Sequence, residues 1–459
     1  MKFLNREAEL ALLADHLSRR GAGMFVLYGR RRIGKTALLD KALSGKLRAA
    51  YHVATQSTET EELRRLSATL AAEWDVPFLA AQPLESVEAL VAFLESVREP
   101  SILAIDELPY LVQTAPSLPG LIQASWDRGL SRGPLKLLFS GSSIGMMEEI
   151  FLSRKAPLFG RRSGQLRLGP LLPHHLKGAF PGGLADRIDL VALFGGVPGY
   201  LERLDPNDDL AGNLRRRVLA RGEPLYEEVP FLLREELREP RVYQAVLAAI
   251  AGGARKFGEI SSKVGLDRSN LTRYLTVLAD LGLIEREVSV TERRPEKSRK
   301  GLYRVADPFV ATYFAFVHPN RDSLERGRAD RILASRILPR LPGYLSRAVE
   351  PVLRDLCVAG GLPDLLPFEP AHGGRYWSSA AEIDVVILDE KRTRAVACEV
   401  KWTSRPVDPP RLLEDLRRKV ASEAAFDGVE MTYALISRSG FTRRWRRAPD
   451  ERLIDLSSS

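Results

Sequence analysis

The chain has 459 residues, 45% of them hydrophobic and 28% charged, with a formal net charge of +9. That length exceeds what a single hydrophobic core serves, so two to four domains are expected, and the mix of apolar and charged residues is that of a soluble globular protein, for which disorder is not the default. Two cysteines, Cys357 and Cys398, rule out a disulfide framework or a multi-cysteine zinc site and suit a reducing cytoplasm, while the excess of cations leans toward a polyanion such as nucleic acid.

The opening "MKFLNREAELALLADHL" places Leu10, Leu13 and Leu17 at helical spacing among charges, which predicts an amphipathic helix and not a signal peptide. No run approaches the roughly 20 apolar residues of a spanning helix, so a cytoplasmic protein with no membrane partner is expected. Next comes an apolar strand, Met24 to Tyr28, followed by a loop and a helix opening near Lys35. The loop, Gly29 to Thr36, fits G-x-x-x-x-G-K-[ST] in full. In that pattern the glycines turn backbone N–H groups onto phosphate oxygens and the helix N-terminus adds its positive end; the lysine reaches the terminal phosphates and the hydroxyl binds Mg²⁺. Gly29, Arg32, Ile33, Gly34, Lys35, Thr36 and Ala37 are therefore the expected nucleotide-binding set.

In "SILAIDELPYL" the apolar residues 102–105 form a buried strand and Asp106-Glu107 fall at its C-terminal end, where ligands of open α/β sheets collect. Asp106 is expected to hold Mg²⁺ through its water shell and Glu107 to polarise the attacking water. A third strand, "LKLLFSGSS", ends in Ser140, Ser142 and Ser143, which could sense a γ-phosphate. Arg161 and Arg162 in "PLFGRRSGQLRL" could touch phosphate within the chain or reach a neighbouring subunit of a homo-oligomer, although each taken singly reads equally well as a surface arginine.

"FLNREAEL", "YGRRRIGKTALL", "AIDELPYL", "FSGSSIGMMEE", "PLFGRRSGQLRLGPL" and "LFGGVPGYL" occur in an order that resembles the archaeal ATPases, P-loop NTPases close to the AAA+ and STAND groups, over roughly residues 1–205. The resemblance implies ATP with Mg²⁺ as cofactors and puts Gly195, Gly196, Val197 and Pro198 in a helical lid near the nucleotide. The first domain is read as residues 1–230.

From about residue 237 the chain becomes short helices, "PRVYQAVLAAIAGG", "KFGEISSKVG" and "DRSNLTRYLTVLADLGLIERE". In the last, Leu271, Leu275 and Leu278 share a face and Asp267 or Ser269 serves as N-cap. A strand, the basic tip "ERRPEKSRKG" and the strand "LYRVA" complete a winged helix-turn-helix, read as residues 231–320, whose partner is expected to be double-stranded DNA. Arg268, Asn270, Thr272 and Arg273 lie on the exposed side of the recognition helix; Arg293, Arg294, Lys297, Arg299 and Lys300 would attract phosphates from the wing.

The last third, residues 321–459, carries a helix "YLSRAVEPVLRDLC", a strand "EIDVVIL", a turn "DEKRT" and a strand "AVACEVKW". Side chains two apart on a strand share a face, so Glu399 and Lys401 stand side by side with Cys398, Val400 and Trp402 behind them. One such triplet alone is an ordinary surface ion pair. A hairpin, however, brings Asp384 to Glu399, and two carboxylates suit Mg²⁺ or Mn²⁺ while a neighbouring lysine can hold or deprotonate water. The constellation D…E-x-K resembles the PD-(D/E)XK nuclease superfamily, and the region resembles the domain called DUF234. The resemblance implies a restriction-endonuclease-like α/β domain with Glu350, Asp384, Glu399 and Lys401 as catalytic residues and a metal at Asp384 and Glu399; Ile383 stands where the superfamily often has proline. The expected protein is thus an α/β chain with a P-loop ATPase and lid, a winged helix and a nuclease-like domain. Its rivals are a STAND-like switch or transcription regulator that cuts nothing, and a remodelling ATPase whose winged helix meets protein.

Overall fold

The computed structural model describes residues 4–237, 239–298, 300–442 and 448–457. The chain divides into two compact units, Met1–Pro170 and Leu171–Ser459. The segment 171–230, expected to close off the first domain, groups with the second unit.

In the first unit, α1 (Glu7–Ser18) precedes β1 (Gly23–Tyr28), α2 (Lys35–Leu43), β2 (Ala49–Val53), α3 (Glu59–Glu73), α4 (Val87–Ser96), β3 (Ser101–Asp106), α5 (Leu118–Arg128), β4 (Leu135–Gly141) and β5 (Gly164–Arg167). The five strands make one sheet in the order β2-β3-β4-β1-β5, and every neighbouring pair is parallel. Every residue of β1, β3 and β4 is buried, as a parallel sheet covered on both faces requires; this is why these strands read as unbroken apolar runs. Leu63, Leu66 and Leu70 of α3 and Leu90 and Leu94 of α4 pack against Met24, Val26, Leu103 and Ile105 of the sheet. Thr58 and Ser86 start those helices by accepting from the backbone N–H three residues on. Because the strands are parallel, the ends of β1, β3 and β4 open on the same edge, and that edge receives the phosphate loop, Asp106 and the serines.

The second unit contains α6 (Leu184–Phe194), nine of whose eleven residues are buried. Three helices follow, α7 (Pro240–Ala251), α8 (Phe257–Val264) and α9 (Arg268–Asp280), then an antiparallel pair, β6 (Ile284–Glu287) with β7 (Leu302–Val305). This is the winged helix-turn-helix expected from the sequence. Leu271, Leu275 and Leu278 are buried, and Asp267 caps α9 by accepting from Asn270 N. After α10 (Leu341–Val358) comes a mixed sheet of β8 (His372–Trp377), β9 (Glu382–Leu388), β10 (Arg394–Lys401), β11 (Glu430–Ser437) and β12 (Glu451–Asp455), with α11 (Pro409–Ala421) between β10 and β11. Its order is β12-β11-β10-β9-β8, antiparallel from β8 to β10 and parallel from β10 to β12. The turn 389–393 is closed by Asp389, which accepts from the N–H of Thr393 and Arg394. His372 opens β8.

Two clusters bind the second unit internally. Asp189 of α6, 2% exposed, accepts from Trp402 Nε1 at 2.6 Å and Arg438 Nε at 3.0 Å, which ties the end of β10 to a buried helix. Glu285 and Glu287 of β6 meet Arg255, Arg304 and Arg354, with Arg255 2.9 Å and Arg354 3.2 Å from Glu287, and this fastens the winged helix to α10. Among the described residues no helix is long and apolar enough to cross a membrane.

Candidate functional site

At the C-terminal edge of the first sheet the loop 29–34 leaves β1 and enters α2 at Lys35, where Gly34 takes φ +96, a left-handed conformation that costs glycine little. Gly29 N–H donates to Gly141 O at 3.3 Å, so the mouth of the loop is anchored to β4. Lys35 is 5% exposed, and its Nζ donates to Gly29 O at 2.9 Å and Arg30 O at 3.2 Å, with Glu107 Oε1 at 3.8 Å. The ammonium is thus held over the loop by carbonyls it can exchange for phosphate oxygens. Thr36 Oγ1 donates to Asp106 Oδ2 at 2.8 Å, which brings the two expected Mg²⁺ groups together although β1, the strand leading to Thr36, and β3 are separated by β4.

Glu107 adopts φ +52, uncommon and mildly strained for a residue with a side chain, and such strain concentrates at functional sites. The turn aims its carboxylate at Ser142, whose N–H and Oγ donate to Oε2 at 3.0 and 2.7 Å. Ser142, expected as a phosphate sensor, therefore holds the carboxylate expected to polarise water. Tyr51 of β2 escaped the sequence reading: its hydroxyl donates to Asp106 Oδ2 at 2.7 Å, and burial with the Asp106 charge raises its pKa. The strand "AAYHV" carries no motif that would have drawn attention to it.

Arg161 needs correction as a phosphate contact within its own chain. Ser163 N–H bonds Met24 O and β5 starts opposite Phe25, so Arg161 sits by the N-terminal edge of the parallel sheet, the edge away from the loop. There its guanidinium is engaged by Asp127 of α5 at 2.9 and 2.6 Å. Arg162 is bonded to Gln165 and to Phe151 O.

In the second unit β10 and β9 pair Cys398 with Val385, so the next pair in register is Glu399 with Asp384 on a common face. Lys401 Nζ donates to Glu399 Oε1 at 2.7 Å. Lys419 of α11, which the sequence reading missed, donates to Oε2 at 2.9 Å. Its only signal is that the apolar stripe Leu413, Leu416 and Val420 turns α11 onto the sheet with Lys419 at the rim. Burial pushes the Glu399 carboxyl up, but the two lysines outweigh it and hold the group below the usual carboxylate range. Asp384 accepts Val400 N–H at 2.9 Å; burial and the Glu399 charge raise its pKa. Burial and the Asp384 charge push Glu350 up to about 7. Cys398, on the opposite face, is fully buried.

Glu350, Asp384, Glu399 and Lys401 are therefore brought to one end of the sheet. Both oxygens of Glu399 face ammonium groups, and among the described residues no three His, Cys, Asp or Glu side chains gather as ligands. Glu350 and Asp384 remain as a carboxylate pair raised by burial and charge, the kind of site a hard divalent cation relieves.

On the winged helix Arg268, Asn270, Thr272, Arg273 and Lys300 are exposed. Asn270 is partly committed locally, its Nδ2 donating to Asp267 Oδ2 at 2.6 Å. Arg299 lies outside the described residues.

Three family models match the chain. One describes an ATPase domain predominantly from Archaea and covers residues 3–204; an IclR helix-turn-helix domain covers 245–288; and DUF234, archaeal and bacterial proteins of unknown function, covers 313–416. The uncharacterized protein MJECL04 of Methanocaldococcus jannaschii is 34% identical over 441 residues, 95% of each chain. A second protein of that organism, the uncharacterized ATP-binding protein MJ0423, is 46% identical over 44 residues, 10% of this chain and 75% of its own length. Among solved structures, the Walker-type ATPase PABY2304 of Pyrococcus abyssi aligns over 68% of this chain and 96% of its own, with TM-score 0.52 and 23% identity, which speaks to shared fold.

Proposed function

The chain belongs to the family of MJECL04 and carries an archaeal-type ATPase domain with a DNA-binding helix-turn-helix, and from that premise we propose that it couples ATP hydrolysis to metal-dependent cleavage of DNA by its C-terminal domain. The observation that carries the reading is the face shared by Asp384, Glu399 and Lys401, with Glu350 brought close by α10. An αβββαβ order from α10 to β11 supports the likeness to the PD-(D/E)XK nucleases.

At the loop, Gly29, Arg32, Ile33, Gly34, Lys35, Thr36 and Ala37 bind the triphosphate. Thr36 and Asp106 are the groups for Mg²⁺, which would offset charge on the phosphates. Lys35 leaves its carbonyl partners for the phosphates, and Glu107 orients water once Ser142 releases it. In the C-terminal domain Glu350 and Asp384 would hold Mg²⁺ or Mn²⁺, which would supply charge stabilisation at a scissile phosphate. Lys401 is the residue for positioning water, and Lys419 keeps the Glu399 carboxylate ionised beside it. Arg273 and the wing cations Arg293, Arg294 and Lys297 hold duplex phosphates and groove edges.

A second reading is favoured by one observation. Because Glu399 is saturated by two lysines, the domain could bind DNA without cutting it, which leaves a nucleotide-controlled switch. Plasmid nicking with Mn²⁺, wild type against Asp384→Ala, separates the two. Nicking lost in the variant supports cleavage; no nicking by the wild type, together with DNA retention on a gel, overturns it in favour of the switch.

A further inference from the structure

Within the second unit a cavity of about 1380 Å³ opens between the wing, the start of α9 and the turn after β8. Four cations line it, Lys256, Arg268, Arg286 and Lys300, against the one carboxylate of Glu292 among its described residues. Trp377, partly exposed at the end of β8, forms part of the opposite wall. Basic groups facing a large aromatic surface are the chemistry that holds an unpaired nucleic-acid strand: cations follow the backbone and the ring stacks on bases, whose faces are hidden inside a duplex.

The walls are set by contacts that leave little freedom. Val290 N–H donates to Arg375 O at 3.0 Å and Arg392 reaches Val290 O at 3.3 Å, so the wing is laid along the edge strand β8. Gly374 permits that approach, since a Cβ there would meet Val290 at 2.9 Å. Arg286 spans the wing from inside by donating to Pro295 O and Ser298 O. The volume holds a few nucleotides of one strand and falls well short of a duplex turn. Trp377 pairs in register with Glu382, two residues before Asp384, so the aromatic wall of the cavity and that carboxylate belong to the same end of the sheet.

We propose that this cavity binds a single strand of nucleic acid, with Trp377 as its stacking surface and Lys256, Arg268 and Lys300 on its phosphates. The inference rests on the nucleic-acid reading above and adds to it the strandedness of what the C-terminal domain receives.

The test is fluorescence anisotropy of the full chain with end-labelled oligothymidylate and oligouridylate of about twelve nucleotides and a duplex of equal length. Trp377→Ala is expected to weaken strand binding by about 5- to 150-fold while duplex binding stays within experimental error, and Trp377→Phe to retain most of the affinity. Lys300→Ala should lower the slope of log affinity against log salt for the strand by roughly 0.7. Binding of either oligonucleotide supports the site, and the tighter of the two identifies its source. Equal losses for strand and duplex in a Trp377→Ala variant that melts like the wild type would overturn it, as would duplex binding with no strand binding, an outcome that leaves the proposed function standing. Binding of neither overturns both.

Discussion

The two candidate sites hold acidic residues by different means. At the phosphate loop, carboxylates are placed by backbone geometry: Glu107 is swung by a left-handed turn, and Asp106 and Glu107 are met by hydroxyls and main-chain N–H groups. At the C-terminal sheet, carboxylates are placed by the strand lattice and answered by charge, two lysines on Glu399 and none bonded to Glu350 among the described contacts. A site built from neutral donors around one buried lysine is ready for an anionic ligand accompanied by its own cation. A site built from crowded carboxylates asks for a cation itself.

If that contrast holds, the sites fail separately. Lys35→Ala should lower phosphate release from ATP by two orders of magnitude or more, the scale of losing a charge-stabilising donor of about 10²–10³-fold, while Mn²⁺-dependent nicking survives. Asp384→Ala should do the reverse, with nicking reduced by about 10²-fold and ATP turnover kept. Were both variants to lose ATPase alike, independence of the sites would be refuted. Asp189→Ala should destabilise the second unit by about 1–3 kcal/mol in urea unfolding, since Trp402 Nε1 and Arg438 are left without their buried acceptor.

A smaller effect comes from pH. The Glu350 carboxyl titrates at about 7 in the folded chain against an ordinary 4.5, so protonation favours the folded state. That contribution is complete below about 4.5 and is lost as pH rises through 7. Glu399 is held below its usual value and stays ionised above 4.5, outside this window. With EDTA present the melting temperature should fall between pH 5 and 8, and Glu350→Gln should flatten the fall, a difference of about 1 kcal/mol after allowing for solvent around the group. A profile unchanged in the variant would locate the dependence elsewhere. Smallest of all, Lys297→Ala on the exposed wing should reduce the duplex salt slope by about 0.9 without altering sequence preference.

The phosphate loop was legible down to the residue at which its helix begins, because the motif encodes backbone shape and the flanking apolar runs encode a buried parallel sheet. The recognition helix and wing were likewise written in the leucine spacing and the Asp267 cap. Glu399 beside Lys401 followed from strand alternation alone. Tyr51, Lys419 and Asp189 were not readable, since each acts across elements brought together by packing, and a lone tyrosine, lysine or aspartate in an ordinary amphipathic segment carries no local mark. Arg161 misled for a related reason: composition cannot say which edge of a parallel sheet a loop occupies.

The knot of Glu285 and Glu287 with Arg255, Arg304 and Arg354 has a metrical implication. It clamps the two strands of the wing to the helix that bears Glu350, so wing and helix hold one fixed spacing. If the proposed cleavage is right, cuts should fall at a constant offset from the stretch of DNA that the wing holds, as marks fall on a ruler.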